Sequence, residues 1–296
     1  MTREDLPKSS ESFSWIWIPG WFITMLGIFG NATVIYLIAT NRRLRKQVNF
    51  LIVSLAVVDF LFSLMNFPSY FICEFYLPCD RQLREIFATY FAFLSLTNLC
   101  AVTVDRYVAI VVPFKYVSFV KARGVMTIVI CSWLLPTVFY FLVAISLANT
   151  ASKEVVTTFN ILRVFVFQLM PCFFALLATT RVFYIAHKHS RKMSRQRTQL
   201  QFNHSISTLR PKGGLEISSA RLVAVVVCVM VICYITDSYF DLRSYFNSSY
   251  LPAYETNYVR CLLYITNSAF NPVVYALLKP DIKQEVRRLF RRKTYK

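Results

Sequence analysis

Long apolar stretches separated by short polar ones dominate the chain. About 20 apolar residues are needed for a helix to cross the hydrocarbon core of a bilayer, and seven windows reach that length with few charges. Segments such as RLVAVVVCVMVICYI are continuously apolar, whereas a membrane β-strand alternates lumen-facing polar residues with lipid-facing apolar ones. The pattern predicts an all-α membrane protein whose seven spanning helices cover residues 16–39, 48–72, 85–111, 124–148, 158–187, 219–243 and 254–278.

Composition supports a membrane location, because 56% of the residues are hydrophobic, only 16% are charged and the mean hydropathy is +0.48. We divide the chain into an extracellular segment 1–15, a helical domain 16–278 and a cytoplasmic segment 279–296. Within the domain, residues 188–218 are polar, basic and interrupted by Pro and Gly, which predicts a mobile third cytoplasmic loop. This division leaves no room for a soluble catalytic domain.

The positive charges indicate the orientation of the helices. Cytoplasmic flanks of spanning helices are rich in Lys and Arg, and 25 of the 33 such residues lie on that side if the N-terminus is extracellular. Topology and contact with anionic inner-leaflet lipids therefore explain the net charge of +18, and no nucleic-acid partner is expected. Segment 1–15 does not have the pattern of a cleaved signal peptide, so we expect the first helix to direct insertion into the plasma membrane.

The last 18 residues, 279–296, have an amphipathic pattern. Ile282, Val286, Leu289 and Phe290 recur at helical spacing with basic residues between them, which predicts a short eighth helix on the membrane surface. No Cys follows these residues, so a palmitoyl anchor is not expected.

The stretch DRYVAIVVPFKY, which begins at Asp105, resembles the Asp-Arg-Tyr motif of the rhodopsin-like (class A) G-protein-coupled receptors. Further motifs of that family occur in family order, each in its own predicted helix: Gly30-Asn31, LAVVD ending at Asp59, Trp133, Pro171 and NPVVY at 271–275. The resemblance covers residues 16–291. It implies a receptor whose extracellular ligand, bound in the helix bundle, activates a heterotrimeric G protein.

The resemblance assigns G-protein coupling and switching to Asp105, Arg106, Tyr107, Pro113, Phe114, Glu216, Asn271, Pro272 and Tyr275. In the family the arginine is held by the neighbouring aspartate, and often by an acid at the foot of helix six, until activation releases it. Glu216 occupies the matching place; alternatively it is a solvated charge or complements the helix dipole. The short tail offers only Thr294 and Tyr295 as hydroxyls, which implies weak arrestin capture.

A buried polar relay and sodium site is implied for Asn31, Asp59, Ser95, Asn267, Ser268 and Asn271, with Asp59 and Ser95 as metal ligands and Tyr275 completing the relay. Hard oxygen donors suit a hard cation such as Na⁺, and we expect no other cofactor. The alternative is a protonated Asp59 that is satisfied by hydrogen bonds alone.

The implied ligand pocket contains Ala88, Thr89, Arg163, Tyr234, Asp237, Asp241 and Cys261. Amine receptors of the family usually have an Asp at the position of Ala88, so an ordinary amine is disfavoured. Arg163 and Asp237 either pair permanently or bind an acid and a base of the ligand, as in a peptide or an amino-acid-like molecule. A lipid or another small molecule remains the alternative ligand, and a transporter the more distant alternative function.

Three residues depart from the family pattern in the regions that move on activation. Tyr234 stands where the family mostly has Trp, Thr236 replaces the Pro that kinks helix six, and Thr179 replaces a Tyr in helix five. The missing Pro removes the strongest cause of a bend in helix six. We therefore expect either a different switching geometry or a shifted basal equilibrium.

The family disulfide between helix three and the second extracellular loop is excluded, because that loop contains no Cys. Cys73 and Cys79 are close in sequence and on the oxidising side, so we predict a bond between them, with Cys261 as a competitor. Asn247 in NSS is a candidate glycan acceptor.

Enzyme functions lack the necessary residues. His187, His189 and His204 lie in or next to the basic third loop without other ligands at metal-binding spacing. Neither a glycine-rich phosphate loop nor a nucleophile elbow occurs. Ile265 occupies the place of the retinal-binding Lys, so the chain is not expected to be an opsin or an enzyme.

Overall fold

The chain forms a bundle of long helices in a computed structural model, which describes residues 14–112, 116, 122–148, 152–203, 213–246 and 254–294. The helices are α1 Ser14–Thr40, α2 Gln47–Phe75, α3 Arg81–Val111, α4 Ala122–Ala148, α5 Lys153–Val164 continuing through a π-helical turn Phe165–Leu169 into Met170–Asn203, α6 Gly213–Phe246, α7 Tyr254–Leu278 and α8 Pro280–Thr294. No strand occurs in these residues, and the predicted all-α fold is confirmed.

Seven helices, α1 to α7, are long and apolar enough to cross a membrane, which agrees with the seven predicted spans. α3 lies at the centre and packs against α2, α4, α5 and α6, whereas α1 packs against α2 and α7 at one side. α8 lies against α7 and the end of α1, with Ile282 fully buried. The long apolar faces left uncovered on α4 and α5 are suited to contact with lipid.

The connections between helices distinguish the two ends of the bundle. Cys73 and Cys79 form the predicted disulfide between α2 and α3, with their Cα atoms 5.3 Å apart. The next residue, Asp80, caps α3, because its carboxylate accepts a hydrogen bond of 3.1 Å from the Leu83 N–H. We call this the disulfide end, and the opposite end, where α3 carries Asp105, the motif end. Cys261, the proposed competitor, keeps a buried free thiol.

The structure differs from the sequence prediction over 188–218, where we expected a mobile loop. α5 continues to Asn203 and α6 begins at Gly213, so most of that segment is helical. The sequence RKMSRQRTQLQFN consists mainly of good helix formers, and neither Gly nor Pro interrupts it before Pro211. High positive charge alone did not end the helix.

Helix α5 contains a proline and an irregular turn, whereas helix α6 has neither in its described residues. The π-helical turn Phe165–Leu169 lies just before Pro171, whose ring cannot donate a backbone hydrogen bond and crowds the preceding turn. α6 has Thr236 at the position where the family has a Pro, and it runs as one uninterrupted helix. The Thr236 hydroxyl donates to the Ile232 carbonyl at 2.7 Å.

Glycines allow α1 to approach its neighbours closely. A Cβ atom on Gly30 would lie 2.7 Å from the ring of Pro272 in α7, which has no flexible end that can move aside. A Cβ atom on Gly27 would lie 2.3 Å from the Ser63 hydroxyl oxygen, which rotates about one bond. The lack of a side chain at Gly30 therefore lets α1 pack directly against Pro272 of α7.

We expect Gly30→Ala to lower the melting temperature of the purified protein. Alanine gains up to about 1 kcal/mol in helix propensity over glycine, whereas overpacking costs about 1–3 kcal/mol. Gly27→Ala is the matched control, because it makes the same change in the same helix against a movable hydroxyl. Melting temperatures that are equal for the two variants would contradict a rigid contact at Pro272.

Candidate functional site

Four charged side chains meet between α5, α6 and α7 at the disulfide end. Arg163 lies 2.6 Å from Asp241, and Arg260 lies 2.5 Å from Asp237 and 2.6 Å from Asp241. Asp237 is fully buried, and Asp241 and Arg163 are 3% and 8% exposed. We call these four residues the ionic network; its two cations and two anions balance, as burial of charge requires.

Neutral side chains add further hydrogen bonds to the ionic network, although the Nε atom of Arg163 is buried without a described acceptor. Gln168 donates to Asp237 at 2.8 Å, and the Tyr264 hydroxyl donates to the same carboxylate oxygen. Ser238 in turn donates to the Gln168 carbonyl at 2.9 Å, and Arg163 donates to the Tyr245 hydroxyl at 3.3 Å. The π-helical turn of α5 supplies Gln168, so local backbone geometry helps to place this contact.

Of the two alternatives stated for Arg163 and Asp237, a permanent pair between them does not form. Arg163 binds Asp241 instead, one turn further along α6, and Arg260 bridges the two aspartates. Arg260 was not among the predicted pocket residues, although a single Arg in the apolar span of α7 is the same signal that identified Arg163. Relative rotation and depth of two helices are set by packing, so pairs of charges on different helices cannot be matched from sequence alone.

The other predicted pocket residues lie on the inner sides of α3, α6 and α7. Tyr234 is fully buried, and its hydroxyl donates to the Ala92 carbonyl of α3 at 2.6 Å. Its ring also packs against that of Tyr264, with centroids 5.8 Å apart. The Thr89 hydroxyl donates to the Glu85 and Ile86 carbonyls of its own helix, and Cys261 is buried. Tyr234 thus joins the ionic network to the middle of α3.

Asp59, buried near the middle of α2, collects three hydrogen bonds from α3 and α7. Ser95 and Ser268 donate to one carboxylate oxygen at 2.6 and 2.8 Å, and the Asn271 amide donates to the other at 2.6 Å. Asn31 joins indirectly, through a bond of 3.3 Å to the Ser268 carbonyl. Asn267 and Tyr275, also predicted for this relay, are buried nearby in sequence but make no hydrogen bond to Asp59 in the described part of the chain.

The oxygen atoms around Asp59 are suited to bind a hard monovalent cation. Within the described residues no Lys or Arg pairs with Asp59, so an ionised carboxylate is balanced only by neutral groups. The amide oxygens of Asn267 and Asn271 are buried without a described partner. Carboxylate, hydroxyl and amide oxygens are ligands of hard cations. In the same described part, no group of three His, Cys, Asp or Glu indicates a transition-metal centre.

A second ion pair lies at the motif end. Arg106 lies 3.2 Å from Asp105, which also accepts a hydrogen bond of 3.2 Å from Tyr116. The Arg106 side chain is 20% exposed, whereas Asp105 is buried, so the guanidinium lies at the rim. Pro113, Phe114, the Glu216 side chain and Asn247 lie outside the described residues, so the predictions made for them stay predictions.

Lys279, between α7 and α8, is a further cation at the motif end that the sequence analysis missed. Its ammonium donates to the Asn49 amide oxygen at 2.5 Å. Burial, and the nearby Arg106 charge, lower the pKa of Lys279 from 10.5 to about 7. The Asp105 carboxylate therefore lies near two basic groups, of which only Arg106 is paired with it directly.

Comparison with known proteins gives one family and a consistent set of relatives. Residues 30–275 match the family described as "7 transmembrane receptor (rhodopsin family)". Trace amine-associated receptor 4 of Rattus norvegicus is 26% identical over 90% of this chain and 83% of its own. Trace amine-associated receptor 9 of Rattus norvegicus is 26% identical over 92% and 86%, and trace amine-associated receptor 6 of Homo sapiens is 27% identical over 95% and 87%.

We expect Arg260→Met to lower the melting temperature strongly, because it leaves two buried aspartates without one of their cations. Removing one partner of a buried ion pair costs about 3–5 kcal/mol. The matched control is Arg243→Met, an exposed Arg on α6 beside Tyr239, where a surface change costs about 0.5 kcal/mol or less. Adding Asp237→Asn to Arg260→Met should recover part of the loss. Equal effects of the two single variants would exclude a stabilising network.

Proposed function

Because this chain belongs to the rhodopsin family of seven-transmembrane receptors, we propose that an extracellular ligand bound in its helix bundle activates a heterotrimeric G protein. The protein is a multi-pass protein of the plasma membrane and not an enzyme. In the proposed orientation the disulfide end is extracellular together with the N-terminus, and the motif end is cytoplasmic. The excess of Lys and Arg in the connections at the motif end supports this orientation.

The observation that carries the proposal is the Asp105–Arg106 pair at the rim of the motif end. A guanidinium held at 3.2 Å by a single buried carboxylate is restrained, yet its partial exposure leaves it accessible to a protein that binds there. A G protein that engages Arg106 in only one state of the bundle would stabilise that state. Ligand and G protein are then coupled because each binds the two states unequally.

The route between the two ends runs through Tyr234 and Asp59. Tyr234 contacts the ionic network through Tyr264 and holds α6 to the α3 backbone at Ala92. Asp59 connects α2, α3 and α7 below that level. Because α6 lacks a proline hinge, we expect it to move as a rigid rod, and release of the Tyr234 bond to be part of the switch.

We propose a ligand with both an acidic and a basic group, such as a peptide or an amino-acid-like molecule. The ionic network is neutral, so a ligand with both charges can replace an internal pair without leaving a net buried charge. The relatives are named for trace amines, but the family's usual acidic position on α3 is Ala88 here. Asp237 and Asp241 already bind arginines, so a simple amine lacks a free carboxylate among these buried groups.

We also propose that Asp59 binds Na⁺ in one state of the receptor. Ser95 and Ser268 would supply hydroxyl oxygens and Asn267 and Asn271 amide oxygens. The lack of a described cationic partner for Asp59 and the two orphan amide oxygens support this site.

Arg106→Ala should abolish agonist-independent and agonist-stimulated GTP exchange while the protein still reaches the cell surface, because the side chain lies at the rim and not in the core. Arg123→Ala, an exposed Arg at the start of α4, is the control and should keep exchange. Surface-normalised exchange measured with several G proteins checks this. Normal exchange per molecule of Arg106→Ala would refute the proposed role.

Asp59→Asn should remove any rise in melting temperature that NaCl produces relative to choline chloride, because an amide lacks the charge that holds the ion. Asp281→Asn, which changes an exposed carboxylate bound to Lys46, should leave the sodium response intact. A sodium response that persists in Asp59→Asn would place the ion elsewhere.

A further inference from the structure

Arg84, in the first turns of α3, is a cation that forms no ion pair with a described residue. Its guanidinium carbon lies 4.0 Å from the centroid of the Tyr70 ring, a cation–π contact. Tyr70 is buried and packs against Tyr258 of α7, with centroids 5.8 Å apart. Arg84 therefore reaches toward α2 and α7 and not away from the bundle.

Arg84 differs from the two arginines of the ionic network. Arg163 and Arg260 both bind aspartates, whereas no carboxylate among the described residues forms an ion pair with Arg84. Its Nε atom, like that of Arg163, is buried and has no acceptor within the described part of the chain, but Arg163 has a carboxylate at its other nitrogen and Arg84 has none among the described residues. A buried donor of a charged group without an acceptor is costly, so the site favours an anion that supplies one.

A cavity of about 230 Å³ lies beside Arg84, between α2 and α3 and under the Cys73–Cys79 disulfide. Its walls are largely apolar and include the rings of Phe62, Phe87 and Phe91. At about 30 Å³ per water-sized group it holds about eight such groups, which suits a small ligand. Ala88 lies in its wall, where a larger side chain would take up part of the space.

A second polar group lines the cavity. Asn66 is 4% exposed, and both its amide nitrogen and its amide oxygen lack a described partner. It lies one turn from Tyr70 on α2, about 6 Å along the helix axis. Asp80 also lines the rim, but it is exposed and its carboxylate already accepts a hydrogen bond from the start of α3.

We propose that this cavity binds a small carboxylate with an apolar body, its carboxylate on Arg84 and its chain among Phe62, Phe87 and Phe91. The proposal rests on the proposed receptor function and adds a carboxylate site that is separate from the ionic network, whose four residues do not line this cavity. A guanidinium binds a carboxylate through two parallel N–H donors, so both affinity and orientation follow from Arg84. The Asn66 amide, which lines the same cavity, favours an acid that also carries a hydroxyl or carbonyl group.

The same geometry disfavours an amine in this cavity. An ammonium would meet the like charge of Arg84, and the nearest lining carboxylate, Asp80, is exposed to solvent. The chain thus differs in charge preference from what the names of its trace amine relatives describe for those proteins.

Binding to the purified receptor tests the proposal without requiring a G protein. The probes are octanoate, with octylamine as the matched cation and octanol as the matched neutral molecule, below their micellar concentrations. Octanoate should raise the melting temperature more than octanol, and octylamine should not raise it. Arg84→Gln should weaken octanoate about tenfold or more and leave octanol unchanged, whereas Arg84→Lys should keep part of the affinity. Ala88→Leu, which fills the cavity, should weaken both.

The matched control is Arg243→Gln, because Arg243 also lies near a tyrosine ring, 6.0 Å from the Tyr239 centroid, but does not line the cavity. Octanoate binding should be unchanged in it. The proposal is overturned if octanoate does not bind wild type, if its binding survives Arg84→Gln, or if octylamine binds better. Arg84-dependent binding without GTP exchange would count against the proposed coupling and leave the carboxylate site standing.

Discussion

The bundle depends on one constraint: a charge inside an apolar helix bundle must meet an opposite charge or several hydrogen-bonding groups, because the bilayer supplies no water there. The ionic network satisfies this with two Arg and two Asp, and Asp59 with three neutral donors. At the motif end, Asp105 is held by Arg106 and Tyr116. The ionic network joins α5, α6 and α7, and the bonds at Asp59 join α2, α3 and α7, so in these two centres the solvation of charge also holds helices together.

One helix can contribute to more than one of the three polar centres, but each side chain belongs to a single centre. α3 contributes Ser95 to the middle centre and Asp105 to the motif end, while α6 contributes Asp237 to the network and Tyr234 to the contact with α3. The Tyr234–Ala92 bond between α6 and α3 joins two neutral groups. Rearrangement there is therefore inexpensive compared with separating a buried ion pair.

Properties of a single helix were predictable from sequence, and the spans followed from length and hydropathy. Ser95 and Asn271 lie on two other helices and were expected at Asp59 through the family resemblance, and the structure brings them there. The alternative in which Arg163 pairs with Asp237 was wrong, because the partner of Arg163 depends on how far α5 and α6 are rotated and shifted against each other. Arg260 and Lys279 were overlooked because neither belongs to a recognisable motif. The end of α5 was misplaced because the polar, basic composition and the Pro and Gly residues near 211–214 were taken to indicate a loop over the whole of 188–218.

Asp59 has an electrical consequence that the neutral ionic network does not share. Moving one elementary charge through a potential of 100 mV changes the energy by about 2.3 kcal/mol, and a charge near the middle of a spanning helix experiences part of that field. Two Arg and two Asp that move together transfer almost no net charge. An ionised Asp59, surrounded by neutral hydroxyls and amides, transfers charge whenever a cation or proton enters or leaves. If Asp59 binds Na⁺ as proposed, the resting potential of the cell acts on the balance between the proposed states through this one carboxylate.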